Sequence, residues 1–136
     1  MTSVKRAAVS LFAFCAAGAG ILAAATPAAA TTADTSRSTL ALMVQGPNSQ
    51  QARITLLTCG PAAGTHPRSA DACATVATVD GDLAALDVQP DGFCTREYQP
   101  VTATATGFWQ GRPVLYGETF PNRCEMLRET GALFDF

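Results

Sequence analysis

The residues with the most chemical potential lie in one run, Cys94-Thr95-Arg96-Glu97-Tyr98-Gln99-Pro100. An arginine, a carboxylate and an aromatic stand between a cysteine and a proline, with neither helical nor strand periodicity. Pro100 has no backbone donor and biases Gln99 towards an extended conformation. A disulfide at Cys94 would pin the other end. The run therefore reads as an extended segment held rigid at both ends, with Arg96 presented outward. A guanidinium so placed can grip a carboxylate through two parallel hydrogen bonds. Taken alone, the run favours an ordinary disulfide-anchored surface loop; the rest of the chain changes that balance.

The other chemically able residues are scattered. His66 is the single histidine, in the loop Gly60-Pro61-Ala62-Ala63-Gly64-Thr65-His66-Pro67. A catalytic base needs a nucleophile and an orienting partner, and a metal ligand needs companions; His66 has neither in sequence and reads as a structural or exposed loop residue. The carboxylate pairs Asp80/Asp82 and Glu125/Glu129 read as solvated surface charge. No catalytic constellation is visible, so an enzyme is not expected, nor a metal or cofactor. A secreted binding module for sugar or protein is the rival class, with Trp109 and Tyr116 as its platform. Both aromatics lie on strand patterns and read instead as core or dimer residues.

The first 30 residues read as a signal peptide that is removed. Lys5 and Arg6 form a positive start, residues 7–25 an apolar stretch, and Ala28-Ala29-Ala30 a small-residue cleavage site. A transmembrane anchor is the runner-up, disfavoured by the small residues of the run and the cleavage site behind it. Cys15 follows Phe12-Ala13-Phe14 rather than small residues, which argues against lipid attachment. The expected destination is extracellular.

Cleavage after Ala30 leaves 106 of the 136 residues, enough for one small domain. It removes the only lysine and leaves seven arginines against eleven carboxylates, a net charge of −4. That balance argues against nucleic-acid or anionic-membrane binding, which need a basic face. Four cysteines remain, Cys59, Cys73, Cys94 and Cys124, an even number in an exported chain, which reads as two disulfides with three possible connectivities. Their gaps of 14, 21 and 30 residues lack the close ligand pairs of a zinc site.

The elements that position the loop follow from patterning. Residues 31–38 are small and polar and read as a flexible mature N-terminus, with one domain over 39–136. Residues 39–44 and 53–59 read as strands with apolar atoms on both faces, whereas a clean alternation would leave one face wet. Ser69 is placed to cap a helix beginning at Ala70, whose residues Cys73, Val76 and Ala77 fall on one inward face. Asp82 is placed to cap a short turn carrying Leu83 and Leu86 to the core. Gln89-Pro90-Asp91-Gly92 is a turn signal. The threonine alternation over residues 101–109 is the clearest strand signal, and Gln110-Gly111 joins it to a second strand over 112–120 as a hairpin. Residues 121–128 break the pattern around a helical turn, and residues 133–136 read as a terminal strand. The sum is an α+β domain, with an antiparallel sheet of about five strands and one or two helices packed on one face.

Read as a whole, the mature chain resembles the Streptomyces subtilisin inhibitor-like family of secreted serine proteinase inhibitors. The matching stretches include Leu56-Leu57-Thr58-Cys59-Gly60-Pro61, Gly64-Thr65-His66-Pro67, Ala72-Cys73, Gly81-Asp82-Leu83, Trp109-Gln110-Gly111 and Cys124-Glu125-Met126. Cys94, Tyr98, Pro100-Val101, Asn122, Leu133-Phe134 and Phe136 complete the pattern. The resemblance implies the pairings Cys59–Cys73 and Cys94–Cys124, and a homodimer formed through the sheet face away from the helices. It implies a substrate-like, slowly cleaved inhibitor with its reactive bond between Arg96 and Glu97. Cys94, Thr95, Tyr98 and Gln99 are then the protease-contacting neighbours, and Asn122 braces the loop from beneath. Arg96 points to trypsin-type partners, with subtilisin-type partners also expected. Glu97 departs from the family's more usual apolar residue.

Overall fold

The computed structural model describes residues 36–47 and 52–136. The predicted signal peptide and most of the predicted flexible N-terminus lie outside them. Five strands form one antiparallel sheet: β1 (Ser38–Gln45), β2 (Ala52–Cys59), β3 (Ala63–Gly64), β4 (Val101–Trp109) and β5 (Arg112–Phe120). Two helices, α1 (Ser69–Thr78) and α2 (Arg123–Thr130), accompany them. The strand order is β3-β2-β1-β4-β5, so β1 is central and the long connection from β3 to β4 carries both α1 and the Arg96 run.

Alternation decides which face is buried. Leu40, Leu42 and Val44 of β1 point inward with Leu57 of β2, Ala103 and Ala105 of β4, and Phe120 of β5. They meet Ala72 and Val76 of α1, Met126 of α2, and the consecutive pair Leu133 and Phe134. Among the described residues nothing covers the opposite face, which carries Ile54, Leu56, Phe108 and Leu115, all exposed. The two-sided apolar character read from the strands is thus real, and the helices cover one side only.

The β4–β5 hairpin falls where the sequence placed it, closed by Gln110 (φ 47°) and Gly111 (φ 78°). Two successive positive φ values are what the type I′ hairpin turn requires, and a glycine accepts one at no steric cost. At the same end, the Trp109 indole donates to Asp80 Oδ1 (3.1 Å) and Arg112 pairs with Asp80 Oδ2 (2.7 Å). Trp109 is only 5% exposed, so it is a core residue and not a ligand platform. Its ring lies so close to Gly81 that a Cβ there would come within 2.6 Å of it, at a φ of +84° that already favours glycine.

Several local expectations need correction. The α1 helix begins at Ser69 itself, after Arg68, and no side chain caps it. Its buried residues are Ala72 and Val76, an i,i+4 pair, while Cys73 is half-buried and Ala77 is exposed. Leu83 and Leu86 are buried as expected, but the Asp82 side chain makes no capping bond to the short 3-10 turn they flank. The terminal segment is not a strand: residues Gly131–Phe134 form a 3-10 turn. Leu133 and Phe134 are adjacent and both fully buried, which a strand facing one core cannot achieve. The fifth strand is instead β3, two residues within the His66 loop. β1 also takes in Ser38, whose hydroxyl accepts from the Gln110 N–H (2.9 Å).

His66 is structural. It is buried, its Nδ1 accepts from the Arg68 N–H (3.0 Å), and its Nε2 therefore carries the proton it donates to the Leu133 carbonyl (3.1 Å). The ring also packs edge-on against Phe136, with centroids 5.4 Å apart.

Candidate functional site

The loop before β4 is laid along α2 from that helix's C-terminal end to its N-terminal end. Val88 and Gln89 donate their N–H groups to the carbonyls of Glu129 and Arg128, each at 3.0 Å. The expected turn at Gln89-Pro90-Asp91-Gly92 is closed by the Gly92 N–H on the Gln89 carbonyl (2.9 Å). One step on, Cys94 is joined to Cys124 in the first turn of α2, and Cys59 to Cys73. Finally, the Gln99 N–H donates to the Pro121 carbonyl (2.8 Å), just before the helix. Each end of the Arg96 run is thus fixed to the same element.

Between those ends a single side chain holds the backbone. Asn122 caps α2: its Oδ1 accepts from the Glu125 N–H (2.9 Å), in the extended conformation of an N-cap residue. That fixes which end of the amide faces the loop. The Nδ2 group donates to the Thr95 carbonyl (3.1 Å) and to the Glu97 carbonyl (2.8 Å). These two carbonyls flank Arg96, so one buried amide holds the chain on both sides of the Arg96–Glu97 peptide bond. The resemblance pointed to Asn122 beneath the loop, but not to its second task of starting the helix that carries Cys124.

Side chains on the outer side of the loop point to solvent. Thr95, Arg96, Glu97 and Gln99 are all exposed, Tyr98 is 77% exposed, and Phe93 is 93% exposed. Among the described residues, the Arg96 guanidinium has no hydrogen-bond or ion-pair partner. By contrast, Arg68, Arg112, Arg123 and Arg128 all pair with carboxylates. The Glu97 carboxylate is engaged within the loop, accepting from Gln99 Nε2 at 2.6 Å. The loop therefore offers a free cation, two exposed aromatics and a backbone that is already ordered.

Two contributors escaped the sequence. Phe93 precedes Cys94, and only its aromatic character next to the disulfide hinted at a surface role. Arg128 organises the underside: its Nε bonds Glu125 Oε2 (2.8 Å) and its Nη2 bonds Glu129 Oε1 (3.1 Å). It also reaches the Pro90 carbonyl (3.4 Å). The i,i+3 spacing of Glu125 and Arg128 was a usable signal. The Glu125 hydrogen bond raises the Arg128 pKa above its already high ordinary value. Burial, followed by the nearby Glu118 charge, pushes Glu129 up. The pairs Asp80/Asp82 and Glu125/Glu129 supply no catalytic dyad; Asp80, Glu125 and Glu129 are committed to arginines. No group of three or more metal-ligating side chains converges among the described residues.

Comparison with known proteins decides the family. The family model described as subtilisin inhibitor-like matches residues 36–122, from the start of β1 through the loop to Asn122. The chain belongs to the subtilisin inhibitor-like family. A relative from Streptomyces lavendulae, subtilisin inhibitor-like protein 4, is 47% identical over 85 residues, covering 62% of this chain and 73% of that protein. The subtilase-type protease inhibitor of Streptomyces coelicolor A3(2) is 45% identical, over 62% of this chain and 59% of its own length. Among solved structures, Streptomyces caespitosus sermetstatin in complex with Bacillus licheniformis subtilisin is similar with a TM-score of 0.57 and 34% identity. That match covers 74% of this chain and 99% of the other. Like its relatives, this subtilisin inhibitor-like chain belongs with protease inhibitors and not with enzymes.

Proposed function

We propose that this protein is a secreted, substrate-like inhibitor of serine endopeptidases, with its reactive bond between Arg96 and Glu97. The observation that carries the reading is the Asn122 amide, which holds the carbonyls of Thr95 and Glu97 on either side of that bond. A loop already extended and tied loses little conformational entropy on docking, so more of the contact energy appears as affinity. The same ties oppose hydrolysis, because the segment released by cleavage stays beside the acyl-enzyme and can religate. Arg96 is the specificity residue, its unpaired guanidinium suited to a trypsin-type pocket with a carboxylate at its base. Thr95, Tyr98 and Gln99 extend the contact, Cys94 anchors it, and Phe93 joins them. Subtilisin-type proteases are a second target class, in keeping with the subtilisin-bound sermetstatin structure.

Two further parts of the reading belong here. Residues 1–30 act as a signal peptide, and the mature protein is a homodimer whose interface is the uncovered sheet face bearing Ile54, Leu56, Phe108 and Leu115. The test of function is a titration of trypsin and of subtilisin with the mature chain. Loss of activity with a sharp equivalence point, and a slowly formed product whose new N-terminus is Glu97, are expected. Full protease activity at excess protein, or a product beginning elsewhere, overturns the proposal.

A further inference from the structure

Glu97 and Gln99 form a side-chain tie that the family resemblance does not supply, since Glu97 stands where an apolar residue is more usual. Gln99 Nε2 donates to Glu97 Oε1 at 2.6 Å, a short hydrogen bond to an ionised acceptor. Gln99 is itself fixed, because its backbone N–H donates to the Pro121 carbonyl at 2.8 Å. Glu97 is fixed a second time through its carbonyl, which accepts from Asn122 Nδ2 at 2.8 Å. Residues 97–99 are thus closed into a small frame: helix entrance to Gln99, Gln99 to the Glu97 side chain, and the Glu97 carbonyl back to the helix cap. The other side of Arg96 is held by the Cys94–Cys124 bridge and the single bond to the Thr95 carbonyl.

We propose that Gln99 is a positioning residue for religation, acting through the Glu97 carboxylate; this rests on the reading of Arg96–Glu97 as the reactive bond. When a protease cleaves there, the Arg96 carbonyl carbon becomes an ester on the protease serine and Glu97 gains a free amine. In the reverse step the Glu97 nitrogen forms a bond to that carbon while the bond to the serine oxygen breaks. The amine gives one proton to the protease's catalytic base, which returns it to the serine oxygen. The step needs the amine held within attacking distance of the ester, and orientation of this kind contributes strongly to rate and equilibrium. The disulfide does not reach Glu97, so its frame of three hydrogen bonds does the holding. In free solution the Gln99–Glu97 bond is exposed and weak.

The test is the equilibrium ratio of cleaved to intact inhibitor, reached from both directions with a catalytic amount of trypsin. It compares the full mature chain with Gln99→Ala, Glu97→Ala, the double variant and Gln99→Glu. Removing either partner should shift the ratio towards the cleaved form by about threefold to tenfold, the scale of one ordinary intramolecular hydrogen bond. The double variant should shift it no further than the larger single change, because both remove the same tie. Gln99→Glu should shift it more than Gln99→Ala, since two carboxylates then face each other. A merely structural role would move thermal stability and leave this ratio alone. If Gln99→Ala is cut at Arg96–Glu97 with a ratio within about twofold of wild type, below the scale of one such bond, the proposal fails and the reactive bond stands. Additive single effects overturn it equally. A wild-type chain cut at some other bond, or not at all, overturns the underlying reading and this proposal with it.

Discussion

At the scale of single residues, Asn122 does two jobs with the two ends of one amide. Its oxygen caps α2 and its nitrogen holds Thr95 and Glu97. Substitution can separate them. Asn122→Ala loses both, and the lost cap alone costs about 0.5–2 kcal/mol of stability. Asn122→Asp keeps an oxygen for the Glu125 N–H but places a carboxylate against two carbonyls. Both variants should still bind trypsin on first contact and then be consumed as substrates faster than wild type. Asn122→Asp should do so with the smaller loss of melting temperature. Time courses of recovered protease activity check this, and temporary inhibition as long-lived as wild type in both would remove Asn122 from the bracing role. Arg96 stands out in sequence because it lies in an aperiodic run between a cysteine and a proline. Its partnerless state in the folded chain could not be read there, since pairs such as Arg112–Asp80 and Arg123–Asp135 are made through the fold and not by sequence spacing.

At the scale of elements, β4 was readable to the residue because Thr102, Thr104 and Thr106 alternate against Val101, Ala103 and Ala105, and the Gln110-Gly111 turn then set the start of β5. The α2 helix was not, for a physical reason: only Met126 and Thr130 are fully inward, a single i,i+4 pair among charged residues. Its length is set by the disulfide, the cap and the loop laid along it, which connect residues some 30 positions apart. The loop-closure model credits that bridge with about 3.7 kcal/mol and the Cys59–Cys73 bridge with about 3.0 kcal/mol. Domains of this size have only about 5–15 kcal/mol in total. The pairing itself came from resemblance, since cysteine counting left three choices. The hairpin end offers a pH test. The Trp109 N–H, and then Arg112, lower the Asp80 pKa below its ordinary 3.8. A carboxyl lowered on folding contributes stability above its unfolded pKa and loses it as pH falls through the folded one. Asp80→Asn should therefore melt lower than wild type at neutral pH, and the gap should close as the pH falls below the ordinary carboxylate range. A gap that is constant with pH would mean the ionised form contributes nothing.

At the scale of the whole molecule, one sheet face is sealed by helices and the other is apolar and uncovered, with Leu115 88% and Ile54 70% exposed. A second copy is the proposed cover, on the face opposite the helices, whereas the Arg96 loop is laid along α2. Leu115→Arg with Ile54→Arg should yield a folded monomer that still inhibits. Sedimentation of the wild-type mature chain at micromolar concentration as a single chain would contradict the dimer. The central claim concerns the loop, and one substitution tests it against two proteases. A buried anchor typically accounts for at least about 2 kcal/mol of binding, more than tenfold in affinity. Arg96→Met would leave a trypsin pocket carboxylate without its partner, yet keeps the long apolar stem that a subtilisin-type pocket accepts. The decisive measurement is therefore the pair of inhibition constants of wild type and Arg96→Met. The account predicts a loss of more than about tenfold against trypsin, with equal or tighter binding to subtilisin; unchanged affinity for trypsin would contradict it.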